Sequence, residues 1–106
     1  MSEPITVLAP IKLAAGKTEE DLLEASSRFQ ENFVSQQQGV LRRELLRTSE
    51  GEYLDIVQFK SMDDAEKVIE AERTSPVCMD FFSVMDLSEV DMDAEMPMYR
   101  SLATYT

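Results

Sequence analysis

The stretch Gly39–Thr48, GVLRRELLRT, decides how this chain folds. A glycine opens it and the turn-like SEGE at 49–52 closes it, so Val40–Thr48 reads as a strand. Successive strand side chains point to opposite faces. Arg42 and Arg43 therefore cannot both reach water if one side of the sheet is core. Each face of this sheet must do more than simply bury or simply solvate.

Working outward, ITVLAPIKL at 5–13 alternates apolar residues at Ile5, Val7, Ala9, Ile11 and Leu13, the period of a half-buried strand. Pro10 lacks an amide donor, which places it at a local edge or a bulge. After the turn AAGKT, Thr18 is the N-cap of a helix, with Asp21 in the capping-box position and Glu19 and Glu20 in the first turn. Leu22, Ala25, Ser26, Phe29 and Phe33 form its inward face, and the glutamines 36–38 and Gly39 end it. Beyond the SEGE turn, Tyr53–Lys60 is a third strand. Ser61 caps a second helix with Asp64 three residues on, and Ala65, Val68, Ile69 and Glu72 mark its stripe. Ser75 and Pro76 suit the cap and first residue of a further helical segment carrying Val77, Phe81, Phe82 and Met85. Met98–Tyr105 reads as a fourth strand, with 90–96 as the competing position.

In SEVDMDAEM, at 88–96, acids alternate with apolar residues. A calcium loop starting at Asp91 fails, because it lacks the glycine at its sixth position and has Leu102 where a glutamate is needed. Alternating carboxylates also point one way without surrounding an ion. The segment reads instead as an arm that lays its methionines on a neighbour, so 88–106 forms an extended C-terminal arm and last strand of a single domain, 1–106.

Composition narrows the function classes. The chain of 106 residues has a net charge of -11, from 21 acids and 10 bases, which repels phosphate and argues against nucleic acid as a partner. PITVLAPI is far shorter than the roughly 20 residues a membrane span requires, and no basic segment precedes it, so neither a membrane anchor nor a secretory signal is expected. A lone Cys78 fits a reducing cytoplasm. With no histidine, His-ligated zinc, proximal-His haem and His-assisted nucleophiles are excluded within one chain, and no nucleotide-binding fingerprint is present. No metal or other cofactor is expected.

The order strand, helix, strand, strand, helix, strand is the ferredoxin-like split βαβ pattern, an α+β sandwich with both helices on one face of an antiparallel sheet. The other face stays open, and a second copy of the chain is its economical cover, giving a homodimer packed sheet to sheet as a dimeric α/β barrel. On this reading Leu41 and Leu45 face the helices, with Arg43 extending past a helix edge to water. Val40, Arg42, Glu44 and Leu46 look into the space between the sheets. Tyr53, Asp55, Val57 and Phe59 share one face of the third strand, and their mixed character matches that of the Arg42 face. A cavity with polar points suits a small organic ligand.

Three stretches, IKLAAGKTEED (11–21), QQGVLRREL (37–45) and IVQFKSMDDAEKVIEAERTSP (56–76), resemble the antibiotic-biosynthesis-monooxygenase family of dimeric α/β-barrel proteins. The resemblance runs from Ile5 to about Met85. It rests on the aromatic at the strand end, the S-x-D-A helix start and the later S-P break. It implies oxygenation of a phenolic or quinol-like aromatic compound by O₂ without metal or flavin. A related branch degrades haem, but this chain has no tryptophan, Phe59 stands where the family often has one, and Asn32 lies on the first helix instead of an asparagine on the first strand. The resemblance thus leaves the tyrosines Tyr53, Tyr99 and Tyr105, and Arg42 as a stabiliser of a substrate oxyanion. Arg42 and Tyr53 are the catalytic candidates, and Arg42, Glu44, Asp55, Phe59 and Tyr99 the substrate-binding ones. The competing expectation is a non-catalytic barrel that binds a small apolar metabolite or serves a stress-related role.

Overall fold

In the computed structural model, residues 3–87, 98–103 and 105 are described. The elements run β1 (Ile5–Ile11), α1 (Glu19–Asn32), β2 (Val40–Arg47), β3 (Tyr53–Phe59), α2 (Met62–Thr74), α3 (Pro76–Phe82) and β4 (Met98–Arg100), with a 3-10 turn at Val34–Gln36. The strands form one antiparallel sheet in the order β2-β3-β1-β4. This is the ferredoxin-like arrangement that the element order implies. The last strand is shorter than expected, and the 88–97 stretch, with the acid-methionine arm, lies outside the described residues. Among the described residues no helix is long and apolar enough to cross a membrane.

Local chemistry sets the helix starts. The Thr18 hydroxyl accepts from the Asp21 amide at 3.2 Å while Asp21 Oδ2 accepts from the Thr18 amide at 2.9 Å, a complete capping box. Ser61 Oγ accepts from the Asp64 amide at 3.2 Å, and Pro76 stands at the first position of α3, where no amide donor is needed. Gly39 is dictated by space: a Cβ there would lie 2.4 Å from that of Asp64 at the start of α2. Pro10 pairs with β3 through Leu54, whereas β4 reaches only Ile5, Thr6 and Val7 of β1. Its missing donor thus falls at a local edge.

One face of the sheet carries the core. Ile5, Val7 and Ile11 of β1 and Phe59 of β3 pack against Leu22, Ala25 and Phe29 of α1, Ala65 and Val68 of α2, and Cys78 and Phe81 of α3. Phe29 stacks on Phe33 and on Phe81, joining α1 to α3. The opposite face carries half-buried Thr6, Leu8, Leu46, Leu54, Ile56 and Gln58, and among the described residues no helix lies across it.

The register of β2 corrects the expected faces. Val40 pairs with Phe59 and Arg42 with Gln58, so a bulge leaves Leu41 as the extra residue between them. Val40 therefore joins the helix side and packs on the core, while Leu41 is 48% exposed. Arg42, Glu44 and Leu46 do lie on the open face, opposite Gln58, Ile56 and Leu54. Arg43 faces the helices, as expected, but it does not run out to water. Its side chain is 7% exposed.

Candidate functional site

The sequence-derived candidates divide between the two sides of the sheet. Arg42 and Glu44 form an ion pair on the open face, and both side chains are well exposed. Tyr99 joins that side as the register partner of Thr6 and is 52% exposed. Tyr53, Asp55 and Phe59 lie under the helices, as the register partners of Ile11, Ala9 and Ile5. The expected sharing of one face by Arg42, Glu44, Asp55 and Phe59 is not found, because the register pairs Arg43 with Val57 and Leu45 with Asp55 and so puts Arg42 and Glu44 on the other parity.

Beneath the helices, the polar centre is built on Arg43. Its Nε donates to Asp55 Oδ2 at 3.1 Å, one terminal nitrogen donates to Ser26 Oγ at 2.8 Å, and the other to the Ser26 carbonyl at 3.3 Å and Gln30 Oε1 at 3.4 Å. The guanidinium carbon stands 4.9 Å from the Phe29 ring centre and 5.2 Å from that of Phe81, close enough for cation–π attraction. Ser26 comes from the inward stripe of α1, which explains a hydroxyl among phenylalanines. Gln30 is one α-turn further along. The arginine is thus held by two strands and one helix.

Asp55 is less complete. Its side chain is 7% exposed, and Oδ1 has no hydrogen-bond partner among the described residues. An enclosed carboxylate oxygen without a donor is costly, of order 1–3 kcal/mol or more for a charged group. Burial pushes the Asp55 pKa up, against the opposing pull of Arg43. The pair is therefore charge-compensated, with one acceptor oxygen left open to a donor.

A third group completes the centre. Glu72, half-buried on α2, is raised to about 7 by burial and by the negative charge of Asp55, with Arg43 pulling the other way. Cys78 on α3 is pushed up to about 11, chiefly by burial, so its thiol stays protonated and inert at neutral pH. Sequence reasoning placed Glu72 on the α2 stripe without assigning it a role. Its signal was an acid continuing the apolar series Ala65, Val68, because a charge there needs a partner from the sheet.

Beside this centre opens a cleft of about 260 Å³ lined by Glu19, Leu22, Leu23, Leu45, Leu46, Arg47 and Tyr53. Arg47 and Glu19 close its rim with an ion pair at 2.9 Å. Burial, then the Glu19 carboxylate to which its hydroxyl donates, raise the Tyr53 phenol, which stays neutral. Leu45, on the cleft wall, is the register partner of Asp55. Asp55 itself does not line the cleft. Among the described residues no three histidine, cysteine or acidic side chains converge as metal ligands.

No protein-family model and no curated protein matches the sequence. Solved structures match along nearly the whole chain. SnoaB, a cofactor-independent oxygenase from Streptomyces nogalater, superposes with a TM-score of 0.71 at 14% identity over 97% of both chains. A heme-degrading protein from Mycobacterium tuberculosis gives 0.63 at 16% identity, over 100% of this chain and 99% of the other. A protein from Nitrosomonas europaea, provisionally named an antibiotic biosynthesis monooxygenase, gives 0.63 at 13% over 96% and 93%. At these identities the likeness shows the fold alone, a ferredoxin-like α+β sandwich.

Proposed function

We propose that the chain is a cofactor-independent monooxygenase acting on a phenolic or quinol-like aromatic compound. The observation that carries this is the enclosed Arg43–Asp55 pair with Asp55 Oδ1 left without a donor. A substrate hydroxyl supplies the missing donor to Oδ1. Once ionised, the same oxygen is drawn to the Arg43 guanidinium. The substrate anion itself reduces O₂; one oxygen atom enters the ring system and the other leaves as water with two substrate hydrogens. The protein's part is to bind, ionise and exclude water.

The cleft at Tyr53 is the route of entry, with Leu45 separating it from Asp55. The open sheet face, with Leu8, Leu54 and Ile56 uncovered, is the contact with a second copy of the chain, and Arg42, Glu44 and Tyr99 belong to that contact instead of to the catalytic centre. The test is oxygen uptake with a naphthohydroquinone, corrected for its protein-free autoxidation. The native chain should accelerate uptake, and Asp55→Ala should abolish the acceleration. Equal rates with and without protein across a panel of hydroxylated naphthalenes and anthracenes would remove the oxygenase assignment.

A further inference from the structure

We propose that the cleft between the start of α1 and the paired ends of β2 and β3 binds a small apolar carboxylate, its rings against the leucines and its carboxylate on Arg47. The site stands apart from the Arg43–Asp55 pair, and Asp55 has no part in its lining.

Three elements build it. Arg47 of β2 and Tyr53 of β3 are register partners, so their side chains leave the sheet side by side on one face. Glu19, the first residue of α1, accepts from both: from Arg47 Nη1 at 2.9 Å and from the Tyr53 hydroxyl. Leu22 and Leu23 of α1 and Leu45 and Leu46 of β2 supply the apolar walls. Leu22 is fully buried and Leu23 is 52% exposed, so apolar surface runs from the core to the outside. The volume of about 260 Å³ lies just below the roughly 300–1,000 Å³ of drug-sized sites, which fits one or two rings.

The polar end selects an anion. Of the Arg47 guanidinium nitrogens, only Nη1 has an acceptor among the described residues. Nε and Nη2 form the other forked edge, which matches a carboxylate through two parallel hydrogen bonds. Glu19 is already engaged by two donors and has its charge compensated by Arg47. The Tyr53 phenol is neutral and adds no competing charge. The net charge of -11 opposes an anion at long range, but salt at about 0.15 M screens that field over about 8 Å, whereas Arg47 acts at contact.

The probe is 2-naphthoate, titrated in about 0.15 M salt and followed by amide chemical shifts. The native protein should bind one equivalent, with the largest shifts at Leu22, Leu45 and Tyr53. The uncharged 2-naphthamide, with the same rings, should bind at least about tenfold more weakly, the worth of hydrogen bonds to a charged group. Arg47→Met should reduce naphthoate to the naphthamide level. Glu19→Gln should strengthen naphthoate binding, because Arg47 then has no rival anion. Both side chains are well exposed, at 63% and 40%, so neither variant should disturb folding. Equal binding of naphthoate by the native protein and Arg47→Met overturns the assignment, as does tighter binding of 2-naphthylmethylamine. Equal affinity of the native protein for naphthoate and naphthamide overturns it without any variant. Shifts confined to the open sheet face, or no binding at millimolar naphthoate, remove the site.

Discussion

Replacing Arg43 by methionine should destabilise the fold in a way that depends on pH. Methionine keeps an apolar stem between Phe29 and Phe81 but removes the donors to Asp55 Oδ2 at 3.1 Å and Ser26 Oγ at 2.8 Å. Removing one partner of a buried pair costs about 3–5 kcal/mol while the other stays charged. Asp55 has an escape, since it can take up a proton. Neutralising a carboxyl of ordinary pKa ~3.9 costs about 4 kcal/mol at pH 7 and about 1.5 kcal/mol at pH 5. Burial already holds Asp55 above its ordinary range and Glu72 near 7, so part of that cost is present in the native protein. The net expectation is a loss of about 3 kcal/mol at pH 7.5, narrowing by about 1–2 kcal/mol at pH 5. The sign follows from proton uptake: near neutrality the folded variant binds protons that the unfolded chain does not, so acid favours its folded state. Urea unfolding at both pH values, at one fixed protomer concentration, measures the gap. A gap of equal size at both pH values, or none, would refute the reasoning. Adding Asp55→Leu should restore most of the loss, because two apolar residues then replace the pair.

Other consequences follow from the same structure. Glu72→Gln should stabilise the fold increasingly as pH rises from about 4.5 to about 7, by about 1–3 kcal/mol at the top of that window, because a raised carboxyl weakens the folded state as it ionises; urea midpoints at pH 5 and 8 that differ equally from native would contradict this. Thr18→Ala should lower stability by about 1 kcal/mol by removing the α1 capping box, read from a thermal melt. If the open sheet face pairs two copies as proposed, Ile56→Lys on that face should give a monomer in sedimentation at micromolar concentration. A native protein that sediments as a monomer would remove the second copy from that face.

The helix starts were legible because their chemistry is local. Thr18 with Asp21, Ser61 with Asp64, and Ser75 followed by Pro76 lie within four residues of one another, and each marks a helix start. The inward stripe of α1, Leu22 through Phe33, was legible for the same reason. The buried Arg43–Asp55 pair was not. Arg43 and Asp55 meet across two strands, and which face of the sheet they share depends on register and on a bulge at Leu41 that no residue type announces. The arginine pair in GVLRRELLRT posed the right question, but the buried member is Arg43 and not Arg42. What tied Arg43 to the interior was the presence of acids on otherwise apolar parities, Asp55 beside Val57 and Phe59, and Glu72 beyond Ala65 and Val68. Two acids in one core layer require a cation, and strand parity admits Arg43.

The most direct test of the oxygenase claim is isotopic. A naphthohydroquinone or hydroxyanthracene turned over by the native protein under ¹⁸O₂ should yield a product carrying one heavy oxygen, with the label reduced to the protein-free level in Asp55→Ala. A product whose new oxygen comes from water, or labelling no greater than in the absence of protein, would contradict the account.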